Sequence, residues 1–126
     1  MKHPFLSIII PAHNEEDRLP RALGQVFSFL EKQDYAAEVL VIENASADRT
    51  LQTAREFART HHNLRVFHEA QPGKGLAVRR GMAEANGEFR FICDADLSMP
   101  IEQVNRFLPP AWEGDIAIAS REARGA

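Results

Sequence analysis

Phe89-Arg90-Phe91-Ile92-Cys93-Asp94-Ala95-Asp96 is an apolar run that ends in two carboxylates. Such a run reads as a buried strand, so the two acids stand where the chain leaves a sheet. Neighbouring carboxylates are costly unless something positive sits between or beside them. The natural candidate is a divalent cation that also carries a phosphate, because hard cations such as magnesium take oxygen ligands and keep positions for substrate phosphates. Taken alone, Asp-x-Asp is a weak signal that also occurs in solvated loops. Three further segments decide its reading.

Outward from this stretch, strands and helices alternate. Phe5-Leu6-Ser7-Ile8-Ile9-Ile10 reads as a first strand ended by Pro11. Leu19, Leu23, Val26, Phe27 and Leu30 recur at helical spacing, with Pro20 in the first turn, where a missing N–H costs little. Glu38-Val39-Leu40-Val41-Ile42 is a second strand. Asp48 is placed to cap a second helix through Leu51, Ala54, Phe57 and Ala58. Leu64-Arg65-Val66-Phe67 is a third strand, and a third helix is expected to follow Gly75 and stop at Asn86-Gly87. After Pro100 a short helix is expected as far as Leu108, then a fifth strand over Asp115-Ile116-Ala117-Ile118-Ala119. Strands that are near-continuously apolar and alternate with helices imply an α/β domain: a Rossmann-like, mostly parallel sheet with helices on both faces.

Such sheets bind ligands at the carboxyl ends of their strands. The unusual polar residues all fall there. Pro11-Ala12-His13-Asn14-Glu15 follows the first strand, Glu43-Asn44-Ala45-Ser46 the second, Gly73-Lys74-Gly75 the third and Asp94-Ala95-Asp96 the fourth. Each has a blander reading. Asn14 and Glu15 could cap the first helix, and Glu43-Asn44-Ala45-Ser46 could be a turn leading into a cap. Gly73-Lys74-Gly75 is not a P-loop, since Gly75 stands where that motif needs Ser or Thr. No Gly-x-Gly-x-x-Gly follows the first strand, which weighs against a dinucleotide oxidoreductase. His61-His62 reads as a solvated helix end, since adjacent helical residues point apart. His68 reads as a surface residue, and His13 belongs to the first loop cluster.

Composition narrows the classes further. The 126 residues suffice for one domain, 44% are hydrophobic, and the net charge of −3 argues against a nucleic-acid partner. The single cysteine, Cys93, excludes an internal disulfide and reads as a packed thiol. No apolar run approaches the ~20 residues of a membrane span, and Met1-Lys2-His3-Pro4 leads directly into a strand without a signal-peptide pattern. A cytoplasmic location is the expectation.

Together the clusters resemble family 2 glycosyltransferases, which have the GT-A nucleotide-diphospho-sugar transferase fold. Ser7-Ile8-Ile9-Ile10-Pro11-Ala12-His13-Asn14-Glu15-Glu16 is similar to their opening motif, and Val41-Ile42-Glu43-Asn44-Ala45-Ser46-Ala47-Asp48-Arg49-Thr50 to their Val-Asp-Asp-Gly-Ser-x-Asp-x-Thr segment. The segment from Gly73 to Met82 resembles the stretch before the metal motif, and Asp94-Ala95-Asp96-Leu97-Ser98-Met99-Pro100 the metal motif itself. The polyprenyl (dolichyl) phosphate sugar transferases are the subgroup most resembled, over nearly the whole chain. The order and spacing of four motifs is far more specific than any one of them.

The resemblance implies roles. Pro11, His13 and Glu15 match positions lining the nucleotide pocket, and Ile42, Glu43 and Asn44 positions beside base and ribose. Lys74 belongs with the substrate-binding set. Asp94, Ala95 and Asp96 match residues holding the sugar nucleotide, with Asp96 a ligand of Mg²⁺ or Mn²⁺. Ser98 matches a second metal-reaching position, and Arg121 an arginine near the diphosphate. The implied activity is hexose transfer from a nucleotide-sugar, with UDP favoured, to a polyprenyl phosphate or another acceptor. Where the family pattern has an acidic pair, this chain has Glu43-Asn44. Asn44 can still accept a hydrogen bond from a base through its amide oxygen, but it is uncharged and also a donor. The acceptor site and catalytic base of the family lie beyond the fifth strand. The base is therefore expected beyond Ala126, and residues 1–126 are expected to be the donor-binding part of a larger enzyme. Membrane association is expected only through the missing C-terminal part. An apolar patch near Phe107, Leu108 and Trp112 is expected to be exposed and to favour a homodimer. Two other classes stay open: a non-catalytic nucleotide-binding or interaction module, and a sugar-nucleotide nucleotidyltransferase, whose Gly-rich N-terminal signature is missing here.

Overall fold

The computed structural model describes residues 3–97 and 100–109. Four strands, β1 (Leu6–Ala12), β2 (Ala37–Asn44), β3 (Leu64–Glu69) and β4 (Phe89–Ile92), alternate with helices α1 (Leu19–Glu31), α2 (Thr50–Ala58) and α3 (Lys74–Glu84). A 3₁₀ helix over Ile101–Phe107 follows β4. All strand pairs are parallel, in the order β3-β2-β1-β4. The chain therefore reverses its direction of travel across the sheet at β1. The crevice beyond the carboxyl ends of β1 and β4 is the switch point where open α/β sheets bind ligands.

Strand alternation divides the core into two layers. Leu6, Ile8 and Ile10 of β1, with Val39 and Val41 of β2, pack against Leu19, Leu23 and Val26 of α1, Ala54 of α2 and Val104 of the 3₁₀ helix. Ile9, Leu40 and Ile42 face the other way, onto Ala77 and Met82 of α3 and Ala85 just beyond it. Among the described residues one helix, α3, covers that second face, and it does so at very close range. A Cβ built on Gly81 would collide with the Ile9 side chain and lie 3.3 Å from Ile42 Cγ1. Glycine is thus required at that point by space.

The element boundaries depart from the sequence reading in instructive ways. β1 does not stop at Pro11 but runs to Ala12. Its pairing with β4 ends at Ile9 with Ile92, and the Ile9 carbonyl accepts the Cys93 N–H at 2.8 Å. Two residues further, Pro11 faces the same side with no partner strand beside it among the described residues, so its missing N–H removes no ladder bond there. Helix α3 begins at Lys74, ahead of Gly75. Asp48 stands two residues before α2, where its carboxylate accepts the Thr50 N–H at 2.9 Å and bonds the Thr50 hydroxyl. Pro20 occupies the first turn of α1 as expected.

The expected exposed patch is corrected in part. Leu108 is buried at 4% exposure in the larger core. Phe107 is half-buried, with its ring 5.9 Å from that of Phe91. Trp112, the expected fifth strand and the site candidates Ser98 and Arg121 lie outside the described residues. So does Ala126, the residue beyond which the catalytic base is expected. Cys93 is buried at the end of β4. Burial, reinforced by the charges of Asp94 and Asp96, pushes its thiol up to about 12, consistent with an inert packing role. No helix among the described residues is long and apolar enough to cross a membrane.

Candidate functional site

Three loops at the carboxyl end of the sheet are tied together by side chains reaching from one to the next. Asn14 adopts a left-handed backbone (φ 53°). Its N–H donates to Ser46 Oγ at 3.0 Å, and its Oδ1 accepts the Ala47 N–H at 2.8 Å. Next along the chain, the Glu15 N–H donates to Thr50 Oγ1 at 2.8 Å and the Glu16 N–H to Asp48 Oδ2 at 3.3 Å. Asn14 is therefore not a cap of α1, whose cap position is Arg18 without a side-chain bond. It welds the loop after β1 to the loop after β2.

These loops and the start of α3 enclose a cleft of about 370 Å³. Its lining comprises Pro11, Ala12, His13 and Glu15 from the end of β1 and the loop after it, and Asn44 from the end of β2. It also takes in Pro72, Gly73, Lys74 and Ala77 from the start of α3 and the loop before it, and Asp94, Ala95 and Asp96 from the segment after β4. Eight expected site residues, Pro11, His13, Glu15, Asn44, Lys74, Asp94, Ala95 and Asp96, are thus brought into one cavity. Ile42 and Glu43 are not. Ile42 is wholly buried under α3. Glu43, at 1% exposure, points to the other side of β2, where it accepts the Ser46 N–H at 2.6 Å and bonds His68 Nδ1. Burial pushes the Glu43 carboxyl up, but the bonds from His68 and Ser46 prevail and hold it below the usual carboxylate range. Sequence reasoning did not single out Ala12, Pro72, Gly73 and Ala77 as site residues; they line the cleft as small or rigid residues with no chemical mark of their own.

Acidic charge gathers in the lining of the cleft. Burial raises the Glu15 carboxyl, Arg18 at 3.4 Å opposes the rise, and the charges of Asp96, Asp48 and Asp94 add to it. Lys74 answers this field from across the cleft, its Nζ donating to Asp94 Oδ1 at 2.8 Å. His13 Nδ1 lies 2.6 Å from the Asn44 carbonyl oxygen and its Nε2 3.2 Å from Asn14 Nδ2, so both ring nitrogens are engaged with the loops.

Among the described residues no three His, Cys, Asp or Glu side chains converge as a metal-ligating group. The donor set instead suits a cation shared with a ligand. Magnesium-type ions commonly take one or two protein carboxylates and complete their shell with waters and substrate phosphates. Asp94 and Asp96, with an ammonium already drawn to Asp94, have that character.

Comparison with known proteins gives the family. The model of glycosyl transferase family 2 matches residues 7–126. A dolichyl-phosphate beta-glucosyltransferase of Drosophila melanogaster is 36% identical over 131 residues, covering 92% of this chain and 40% of the relative. A dolichol-phosphate mannosyltransferase of Pyrococcus furiosus is 32% identical over 121 residues, covering 95% of this chain and 34% of the relative. Among solved structures, a mannosyltransferase from Pyrobaculum calidifontis in complex with GDP-Man and Mn²⁺ superimposes with a TM-score of 0.70 at 29% identity, over 87% of this chain and 34% of that one. Glucosyl-3-phosphoglycerate synthase from Mycobacterium tuberculosis in complex with UDP gives 0.65 at 26% identity, over 89% of this chain and 41% of that one. The chain thus spans roughly two fifths or less of the length of these relatives. With its parallel sheet and the motifs after all four strands, it belongs to glycosyl transferase family 2 and has the GT-A fold.

Proposed function

We propose that residues 1–126 are the donor-binding part of a hexosyltransferase that takes a nucleotide-diphosphate sugar and hands the sugar to a polyprenyl phosphate or another acceptor. The observation that carries this reading is the convergence of Lys74, Asp94 and Asp96 in the lining of one cleft beyond β1 and β4. A diphosphate needs positive charge and a sugar hydroxyl needs acceptors. That cleft offers both within one small volume.

In this reading Pro11, Ala12 and Ala77 supply flat walls for the nucleoside. Lys74 turns from Asp94 to a phosphate oxygen when a ligand enters. Asp94 accepts from ribose or sugar hydroxyls. Asp96, with Ser98, is the residue assigned to hold Mg²⁺ or Mn²⁺, which when bound would neutralise the diphosphate as a Lewis acid. Arg121 is assigned to the diphosphate, and the base for a hydroxyl acceptor to the part of the parent protein beyond Ala126. UDP is the favoured donor nucleotide. The mannosyltransferase was solved with GDP-Man and the glucosyl-3-phosphoglycerate synthase with UDP, so both bases belong in the test. The acceptor reading rests on the polyprenyl-phosphate relatives and would place the complete protein at the cytoplasmic face of a membrane.

Titration calorimetry of the folded chain with UDP, GDP and their sugars, with and without Mn²⁺, tests the proposal. Metal-dependent heat with one nucleoside diphosphate is expected. Absence of heat with every nucleotide, in a chain shown by circular dichroism to be folded, removes the donor-binding reading and leaves an interaction module.

A further inference from the structure

We propose that Asn44 is a positioning residue whose carboxamide shapes the loop between β3 and α3 and so sets Lys74 against Asp94. Its amide oxygen accepts from that loop. The functional consequence rests on the donor-binding reading above; the loop geometry does not.

Asn44 is the last residue of β2 and is 4% exposed. Its Nδ2 donates to the carbonyls of Glu69 at 3.2 Å and Gln71 at 2.6 Å, and its Oδ1 accepts the Gly73 N–H at 2.9 Å. These three bonds take up both amide protons and one of the two lone pairs of the oxygen. They span the whole connection from the end of β3 to the residue before α3. Gly73 has φ 141°, a conformation that L side chains rarely adopt, so the loop turns sharply at the point where Asn44 holds its N–H. Lys74 is the next residue and the first of α3. The direction in which its side chain leaves, toward Asp94 Oδ1 at 2.8 Å, follows from that turn.

The chemistry selects asparagine. The position requires two donors and one acceptor on a single short head group, which only a carboxamide supplies. Aspartate at 44 would keep the bond to the Gly73 N–H but would turn a carboxylate oxygen toward two carbonyl oxygens. The loop would be pushed off β2, and Lys74 with it. A residue that merely presented an acceptor to a base would behave oppositely, because a charged acceptor makes the stronger hydrogen bond.

The experiment uses Asn44→Asp, Asn44→Ala, Lys74→Met and the Asn44→Ala/Lys74→Met double variant of the 126-residue chain. Affinity for UDP and GDP is measured with Mn²⁺. Asn44→Asp is expected to weaken binding about tenfold, the scale of a lost buried hydrogen bond. Asn44→Ala is expected to cost much less in the Lys74→Met background than alone, because both changes act through one ammonium. Hydrogen exchange of the ¹⁵N-labelled chain without nucleotide supplies a readout of the loop itself. In Asn44→Ala the Gly73 amide is expected to exchange roughly tenfold faster while Ile9 in β1 stays protected, a local opening and not global unfolding. Equal or tighter binding by Asn44→Asp, additive effects in the cycle, or unchanged Gly73 exchange would each overturn the proposal. If Asn44→Asp does not fold, the cycle and the exchange measurement decide. If the wild-type chain binds no nucleotide, the donor-binding reading falls, and the Gly73 exchange still judges the loop.

Discussion

The ammonium of Lys74 and the carboxylate of Asp94 lie 2.8 Å apart, joining the first residue of α3 to the loop after β4 across the cleft. Their side chains are 47% and 19% exposed. An ion pair that open to solvent contributes about 0–1 kcal/mol to stability, so it is a weak fastener. On the donor-binding reading proposed above, Lys74 serves instead as positive charge in the cleft lining.

Lys74→Met should therefore leave the urea midpoint nearly unchanged while weakening nucleoside diphosphate binding by about one order of magnitude, roughly 1.4 kcal/mol. Lys74→Arg should recover part of the affinity, since it restores charge but not the compact point-charge geometry of an ammonium. Calorimetry beside denaturation separates the two effects. A large loss of stability with unaltered affinity would make the pair structural.

Asp96→Asn should abolish most of the difference between binding with and without Mn²⁺, because an amide is a poor ligand for a hard cation. Asp94→Asn should weaken nucleotide binding with less effect on the metal dependence. Titrations of both variants with and without Mn²⁺ compare them directly. Small and equal effects would return Asp-x-Asp to the class of solvated loops.

The fold was legible because its signals are local. The apolar runs of β1, β2 and β4 and the helical spacing of Leu19, Leu23 and Val26 need no knowledge of partners. What was illegible depends on pairing across the sheet. Glu43 and Asn44 are adjacent in sequence, and strand alternation forces them to opposite faces. Only the β2–β3 register, which sets Glu43 beside His68 and Asn44 beside Glu69, reveals that Glu43 is held by a histidine and that Asn44 faces the loop. The same limit applies to Asn14, whose helix-cap reading fails only once the neighbouring loop supplies Ser46 and Ala47. Leu108 reads as exposed in the sequence because its partners in the larger core are far away along the chain.

At the opposite end of the sheet, a buried acid makes a pH prediction possible. Glu38 accepts bonds from Ser7 Oγ at 2.6 Å, the Asn86 N–H at 2.6 Å and Arg65 Nη2 at 2.8 Å. Burial pushes its carboxyl up, but these bonds and the Arg65 charge outweigh that and hold it below its ordinary value of 4.5. Glu43 is shifted in the same direction. A carboxylate depressed in the folded state adds stability that is present above the unfolded value and fades as pH falls through the folded one. Urea midpoints should thus be level from neutral pH down to about 5 and then drop. Glu38→Gln should be less stable near neutrality, by about 1–3 kcal/mol for the disturbed buried bonds, and should show a shallower acid fall. An identical acid profile in Glu38→Gln would mean that this carboxylate does not control the transition.

Gly87→Ala should also be damaging in the same corner, despite adding a single methyl group. The Gly87 N–H donates to Ser7 Oγ at 2.7 Å. A Cβ at this position would lie 2.6 Å from the Ser7 backbone nitrogen and 2.9 Å from the Leu6 carbonyl carbon. Those atoms belong to β1, whose Leu6 and Ser7 are completely buried, so no flexible side chain can yield. The entry to β4 must move instead, straining the bonds from the Glu88 N–H to the Pro4 carbonyl at 3.1 Å and from the Phe89 N–H to the Phe5 carbonyl at 2.9 Å. A loss on the order of 1–3 kcal/mol is expected, as for other overpacked cores. The collision lies at the amino ends of the strands and the cleft at their carboxyl ends, so the molecules that remain folded should bind nucleotide with wild-type affinity. Denaturant unfolding followed by calorimetry under folding conditions checks both halves. Unchanged stability would mean that β1 and the 86–88 segment are less tightly apposed than the structure has them, and weakened binding in a fully folded sample would mean that β4 transmits the displacement along its length to Asp94.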